Sequence, residues 1–179
     1  SGKVLSRAVT FRIVEGETTD VELVMRRADD DVSVLGFMDA EKRYMPDGGE
    51  EEVSLLSTTG RGYFLVAVMG SGDEPTNHAL RDLASMAGAL KEWGRPVVVL
   101  SPSAEDAAKF DRKMMGDVEA HYGVDIDGKV RGMICDGCNS PQRTLPVVAV
   151  CDSFGRIVYF SQGYNTSLGE QLNSVIHKL

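Results

Sequence analysis

The chain has 179 residues, with 27 acidic against 19 basic side chains for a net charge of −8. That length suits one domain of ordinary size, or one domain plus a small appendage. The acidic balance, with no run of Lys or Arg, argues against nucleic acid or an anionic membrane as partner, since phosphate binding needs concentrated positive charge.

No apolar stretch approaches the roughly 18 residues of a membrane span. Three cysteines are too few for a disulfide scaffold, so the core must hold by burial. The opening Ser1-Gly2 runs straight into a β pattern and reads as the cut end of a longer chain.

From the amino end, Val9, Phe11 and Ile13 alternate with Thr10 and Arg12, and Val21, Leu23 and Met25 repeat the period of two, so both segments read as strands. A further short strand is expected over 32–37. Residues 44–59 are polar and turn-rich, around Pro46-Asp47-Gly48-Gly49, and read as a connecting loop with a short strand at 53–56.

At Gly60 the pattern changes. Residues 63–69 are continuously apolar, as in a strand buried on both faces. A turn over 70–77 leads to Leu80, Leu83, Ala84, Ala87 and Leu90, the stripe of one amphipathic helix ending near Trp93-Gly94. Pro96 stops that helix and 97–100 forms another buried strand. The crossover has the length a parallel pair requires.

Ser103 to Asp106 fits a capping box opening a second helix that Gly116 closes, with His121-Tyr122 near a helix end. Residues 124–134 are charged and Gly-interrupted, and lead to a loop holding Cys135-Asp136-Gly137-Cys138. Residues 145–150 and 156–160 are strands joined by Asp152-Ser153-Phe154-Gly155, hence a hairpin. Ser167 to Glu170 is a second capping box, followed by a helix striped with Leu168, Leu172, Val175, Ile176 and Leu179.

The order from residue 60, β-α-β-α-insert-β-β-α, resembles the thioredoxin fold. Thr144-Leu145-Pro146 resembles the family's cis-proline turn, and Asp152-Ser-Phe-Gly-Arg-Ile-Val resembles the hairpin of its peroxiredoxin and thiol-disulfide reductase branch. A narrower resemblance rests on Thr59-Gly-Arg-Gly-Tyr-Phe, the segment from Glu74 to Asp82, Trp93-Gly-Arg-Pro96 and Ser161-Gln-Gly-Tyr164, which look like carboxy-terminal modules of bacterial transglutaminase-like proteins. The expected fold is therefore α/β and thioredoxin-like over 59–179, a central mixed sheet flanked by helices. An all-β appendage over 1–58 would be the end of an upstream β segment, Ser1 to Arg27, plus a linker. The resemblance implies a parent that is periplasmic or secreted, with the parent's upstream domains as partners.

Enzymes of this fold hold their reactive cysteine at the amino end of the first helix, where the dipole and free N–H groups stabilise a thiolate. Here that position reads Gly72-Asp73-Glu74-Pro75-Thr76-Asn77-His78, without a cysteine. Plain capping by Asp73, Thr76 or Asn77, with Pro75 in the first turn, accounts for most of it. A binding face built from Asp73, Glu74, Pro75, Thr76, Asn77 and His78 together with Thr144 and Pro146 is the functional reading. A peptide or protein is the expected ligand, and no cofactor is expected.

For Cys135 and Cys138 three readings stand: a pair of loop thiols without a catalytic role, a relocated dithiol doing disulfide exchange, or part of a zinc site. Zinc wants four ligands, and the remaining candidates, Cys151, His121 and His78, are scattered. Cys151 reads as a small core residue. Asp125-Ile-Asp127-Gly128 opens like a calcium loop but lacks the third acidic ligand and the closing Glu, so it reads as a hairpin turn.

Overall fold

The computed structural model describes residues 32–179 and, ahead of them, Gly16. The strands expected over 9–13 and 21–25 lie outside the described residues. Chain order gives β1 (Gly36–Phe37), β2 (Arg43–Pro46), β3 (Val53–Ser54), α1 (Leu55–Thr59), β4 (Tyr63–Val68), α2 (Glu74–Ser85), α3 (Ala87–Trp93) and β5 (Val97–Ser101). Then follow α4 (Ala104–Lys109), β6 (His121–Val124), α5 (Lys129–Gly137), β7 (Val147–Asp152), β8 (Arg156–Gln162) and α6 (Leu168–Ile176).

The strands form one sheet in the order β1-β8-β7-β4-β5-β6-β2-β3. β4, β5 and β6 run parallel, β7 pairs antiparallel with β4, and β8 pairs antiparallel with β7. This is the mixed sheet expected from the element order.

Period-two alternation sorts the central strand between two layers. Leu65, Ala67 and Met69 join Leu80 and Leu83 of α2 and Leu172 and Ile176 of α6 on one face. Phe64, Val66 and Val68 face the other way, onto Leu55 of α1 and Val130, Ile134 and Cys135 of α5. Every residue from Phe64 to Met69 is fully buried, which is why β4 reads as an unbroken apolar run. Each such Val, Leu or Phe contributes about 1.5–3 kcal/mol by leaving water.

Several expectations need correction. The strand over 32–37 shrinks to Gly36–Phe37; the short strand expected at 53–56 is present as β3, and the rest of the expected loop over 44–59 holds the end of β2 and α1. Ser54 caps α1 by accepting from the Ser57 N–H at 3.0 Å, and Leu55 is driven fully inside. Five residues are too few to display a helical period. The compact unit begins at Val32. β1 pairs with β8 and β2 with β6, so both belong to the main sheet.

The single helix expected over 80–93 is two, with Met86 serving as the last cap of α2 and the first of α3. His121 and Tyr122 lie in β6, paired with Val98 and Val99, and cap no helix. The Asp125–Gly128 turn joins a strand to a helix, not two strands, with Asp127 at φ 55°. Asp125, fully buried, accepts from the N–H groups of Val130 at 2.7 Å and Arg131 at 3.0 Å. Burial pushes its carboxyl pKa up in spite of those two donors. At α6 the Ser167 hydroxyl makes no cap; Asn165 accepts from the Ser167 N–H, and Asp82 of α2 accepts from the Gly169 N–H, both at 3.0 Å.

The largest correction concerns the cysteines. The segment expected as a loop is the last turn of α5, with Cys135 inside the helix and Cys138 as its cap. Val130, Ile134 and Cys135 share the apolar face, and the Asp125 carboxylate starts the helix in place of a Ser or Thr signal. Gly137 does not break it. A Cβ there would come within 2.2 Å of the Phe37 carbonyl oxygen, and one on Gly36 within 2.0 Å of the Gly137 oxygen. Two glycines thus let β1 and the end of α5 touch backbone to backbone.

Candidate functional site

The β4–β7 register pairs Val68 with Val147, so Pro146 enters the sheet beside Met69, one residue before Gly70. Gly70 begins the turn into α2, and its N–H donates to the buried Thr76 hydroxyl at 3.0 Å. Asp73 accepts from the Thr76 N–H at 2.9 Å as the helix cap, and Glu74 lies 3.5 Å from Arg81. Ser71 tethers the same turn to α4 by donating to Asp106 at 2.8 Å. Hydrogen bonds from Ser103 and Ser71 hold the Asp106 carboxyl below its ordinary pKa.

The structure therefore brings the 73–78 segment and Pro146 to one end of the sheet, and divides their duties. Thr76 and Asp73 are spent on local backbone donors. Asn77 and His78 stay partly exposed, and Thr144 is exposed. The Leu145–Pro146 peptide bond is cis.

The hairpin adds residues that sequence reasoning left out of the site. Gly163, just past β8, donates its N–H to the carbonyls of Thr144 at 3.1 Å and Pro146 at 2.9 Å. Gln162 accepts from the Thr144 N–H at 3.3 Å. Tyr164, 56% exposed, lays its ring 5.2 Å from that of His78. The Nε2 of His78 is buried without a hydrogen-bond partner and sits 3.6 Å from the Asp82 carboxylate. The signal was present: the antiparallel hairpin fixes Gln162 opposite Val147, which puts residues 163 and 164 beside the proline turn.

Cys135 and Cys138 are elsewhere. α2 packs on one face of the sheet and α5 on the other, so the sheet separates the two cysteines from the Asp73–His78 turn. All three cysteines are free thiols in contact with one apolar cluster. Burial raises the Cys135 pKa, opposed by Arg143 and Arg131, and raises that of Cys138 to about 11; Cys151 is pushed higher still by the same cause. The carboxyl end of a helix disfavours a thiolate further, because the dipole's negative end points at it. Among the described residues no three His, Cys, Asp or Glu side chains form a group that could hold a metal, and no helix is long and apolar enough to cross a membrane.

No protein-family model matches the chain, and no curated protein matches it. Solved structures do. A DsbF homologue from Corynebacterium diphtheriae superposes with TM-score 0.60 at 17% identity, over 79% of this chain and 86% of that one. A protein described as a thiol:disulfide interchange protein DsbE from Chlorobium tepidum gives 0.58 at 18%, over 82% and 97%. A SCO1/SenC family lipoprotein from Bacillus anthracis gives 0.58 at 14%, over 82% and 96%. At such identities the likeness establishes the fold alone, and that fold is thioredoxin-like.

Proposed function

We propose that this chain is a non-catalytic thioredoxin-like binding module, an accessory to a larger exported transglutaminase-like protein. It would hold an extended peptide or protein segment at the face made by Asn77, His78 and Tyr164 on one side and Thr144 and Pro146 on the other. The observation that carries this reading is the amino end of α2. Where the fold would stabilise a thiolate stands Asp73, already spent as a cap, followed by Glu74 and Pro75. A chain can keep the architecture of exchange enzymes and lose the chemistry, because fold does not dictate function. The transglutaminase-like parent and its export rest on sequence resemblance; the SCO1/SenC neighbour's description as a lipoprotein is in keeping with export.

The test is selection of displayed peptides on the full chain, followed by titration of an enriched peptide. Substituting Asn77, His78, Thr144 or Tyr164 with alanine should weaken binding by about tenfold or more, the 1.4 kcal/mol typical of one good contact. No enriched peptide, or binding indifferent to all four changes, removes the reading.

A second reading has one observation in its favour: the neighbours above include proteins named for thiol:disulfide interchange, and Cys135 and Cys138 lie one helical turn apart. Insulin-disulfide reduction by the wild-type chain, compared with Cys138→Ser, separates the two. Turnover lost in the variant would make the pair the active site, and equal background rates would remove exchange catalysis.

A further inference from the structure

We propose that Cys135 and Cys138 form a stoichiometric redox pair whose oxidation resets the Thr144–Pro146 turn, so that the binding face is regulated from behind. The coupling stands on geometry alone, while its role as regulation rests on the binding reading above.

Cys135 lies in the last turn of α5 and Cys138 caps it three residues on, a spacing at which a disulfide closes if the turn adjusts. Residues three apart in a helix have Cα atoms about 5 Å apart, inside the range that disulfides span. Their Cβ atoms, however, lie about 5–6 Å apart on a helix, against about 3.5–4.5 Å in a disulfide. Closing the bond must therefore tighten the last turn of α5 by roughly 1 Å.

That turn is wired to the proline turn by two routes. Asp136, between the cysteines, holds Nη2 of Arg143 with both carboxylate oxygens, at 2.7 and 2.8 Å. Arg143 immediately precedes Thr144 and is held at φ 52°, a conformation non-glycine residues adopt only when their surroundings impose it. By the second route, the Cys135 carbonyl accepts from the Ser140 N–H at 2.8 Å, the Ser140 hydroxyl accepts from the Gln162 amide, and Gln162 accepts from the Thr144 N–H. Moving the last turn of α5 shifts both anchors of the Thr144 backbone.

The chemistry balances with a small-molecule disulfide as oxidant. Cys138, the less buried thiol, loses its proton and attacks one sulfur of the disulfide, forming a mixed disulfide and releasing one thiolate. Cys135 then loses its proton and attacks the Cys138 sulfur, closing the intramolecular bond and releasing the second thiolate. The two released thiolates take up the two protons. The protein is oxidised by two electrons and the small disulfide is reduced by two. Burial of both thiols suits a slow, stoichiometric response rather than turnover.

The experiment uses the full chain in graded glutathione buffers, with thiol mapping by mass spectrometry and amide shifts by heteronuclear NMR. Oxidised glutathione should link Cys135 to Cys138 and move the amide resonances of Thr144 and Gly163. Cys138→Ser, or Cys138→Ala should the serine variant fail to fold, should abolish both effects. Arg143→Ala should keep the disulfide and shrink the shift at Thr144. A bond to Cys151, a glutathione adduct as end product, thiols that never pair, or a disulfide that leaves Thr144 and Gly163 unmoved would each overturn the proposal. The readout needs no peptide, so a failed peptide selection sinks the binding face without touching the coupling.

Discussion

The amino end of α2 and the carboxyl end of α5 are two helix termini with opposite endowments. The first has the field and free N–H groups that make a cysteine reactive, and carries a carboxylate cap. The second carries two cysteines in an apolar layer at the dipole's negative end. The difference teaches that a CxxC spacing is not a chemistry. Thiol reactivity follows from the local dielectric and the helix dipole, and a chain can keep the spacing in a place that slows it.

Four tests would break or sharpen that contrast. The largest effect is expected from Ile134→Ala, which empties a fully buried position one residue before Cys135. It should cost about 2–5 kcal/mol in denaturant unfolding, whereas Asn77→Ala at the other helix end should stay within about 0.5 kcal/mol. Equal costs would mean that the end of α5 is not core.

Next, Glu74→Cys places a thiol in the first turn of α2. At pH 7 it should alkylate about 100-fold faster than Cys138, since an accessible thiol at a helix amino end has a lowered pKa. The sign for Cys138 follows from burial disfavouring its thiolate. Its rate should climb until about pH 11, past the ordinary thiol value near 9. A Cys138 profile with its midpoint at 9 or below would end the contrast.

Third, Gly137→Ala forces a methyl to within 2.2 Å of the Phe37 carbonyl oxygen and should cost about 1–3 kcal/mol through overpacking. Gly72→Ala meets nothing within 4 Å and pays only for its φ of +70°, about 1 kcal/mol. Thermal unfolding of the two variants ranks them. Last, Asp73→Ala removes the cap on the Thr76 N–H and should cost about 1 kcal/mol, with Asp73→Asn restoring most of it.

The elements legible in the sequence are those whose physics is local. The unbroken apolar run of β4, the caps at Asp73 and Ser103, and the hairpin around Asp152 all follow from periods and turn residues, and the structure has them. Once those were in order, the β-α-β-α-β-β-α sequence pointed to the thioredoxin-like sheet. α5 was not legible, because its start is signalled by a buried aspartate four residues upstream and its glycines serve neighbouring strands and side chains. α1 was hidden by its shortness, and the split at Met86 by an apolar stripe that continues across it.

The same division holds for the site. Sequence alone determined that no cysteine stands at the amino end of α2, since that is a matter of which residue occupies a position. Only the tertiary structure decided that the two spaced cysteines lie across the sheet, buried and at a helix's carboxyl end. It alone brought the Tyr164 ring against His78 of α2. Identity is written along the chain, whereas dielectric, dipole direction and the meeting of residues far apart in sequence exist only once the layers have packed.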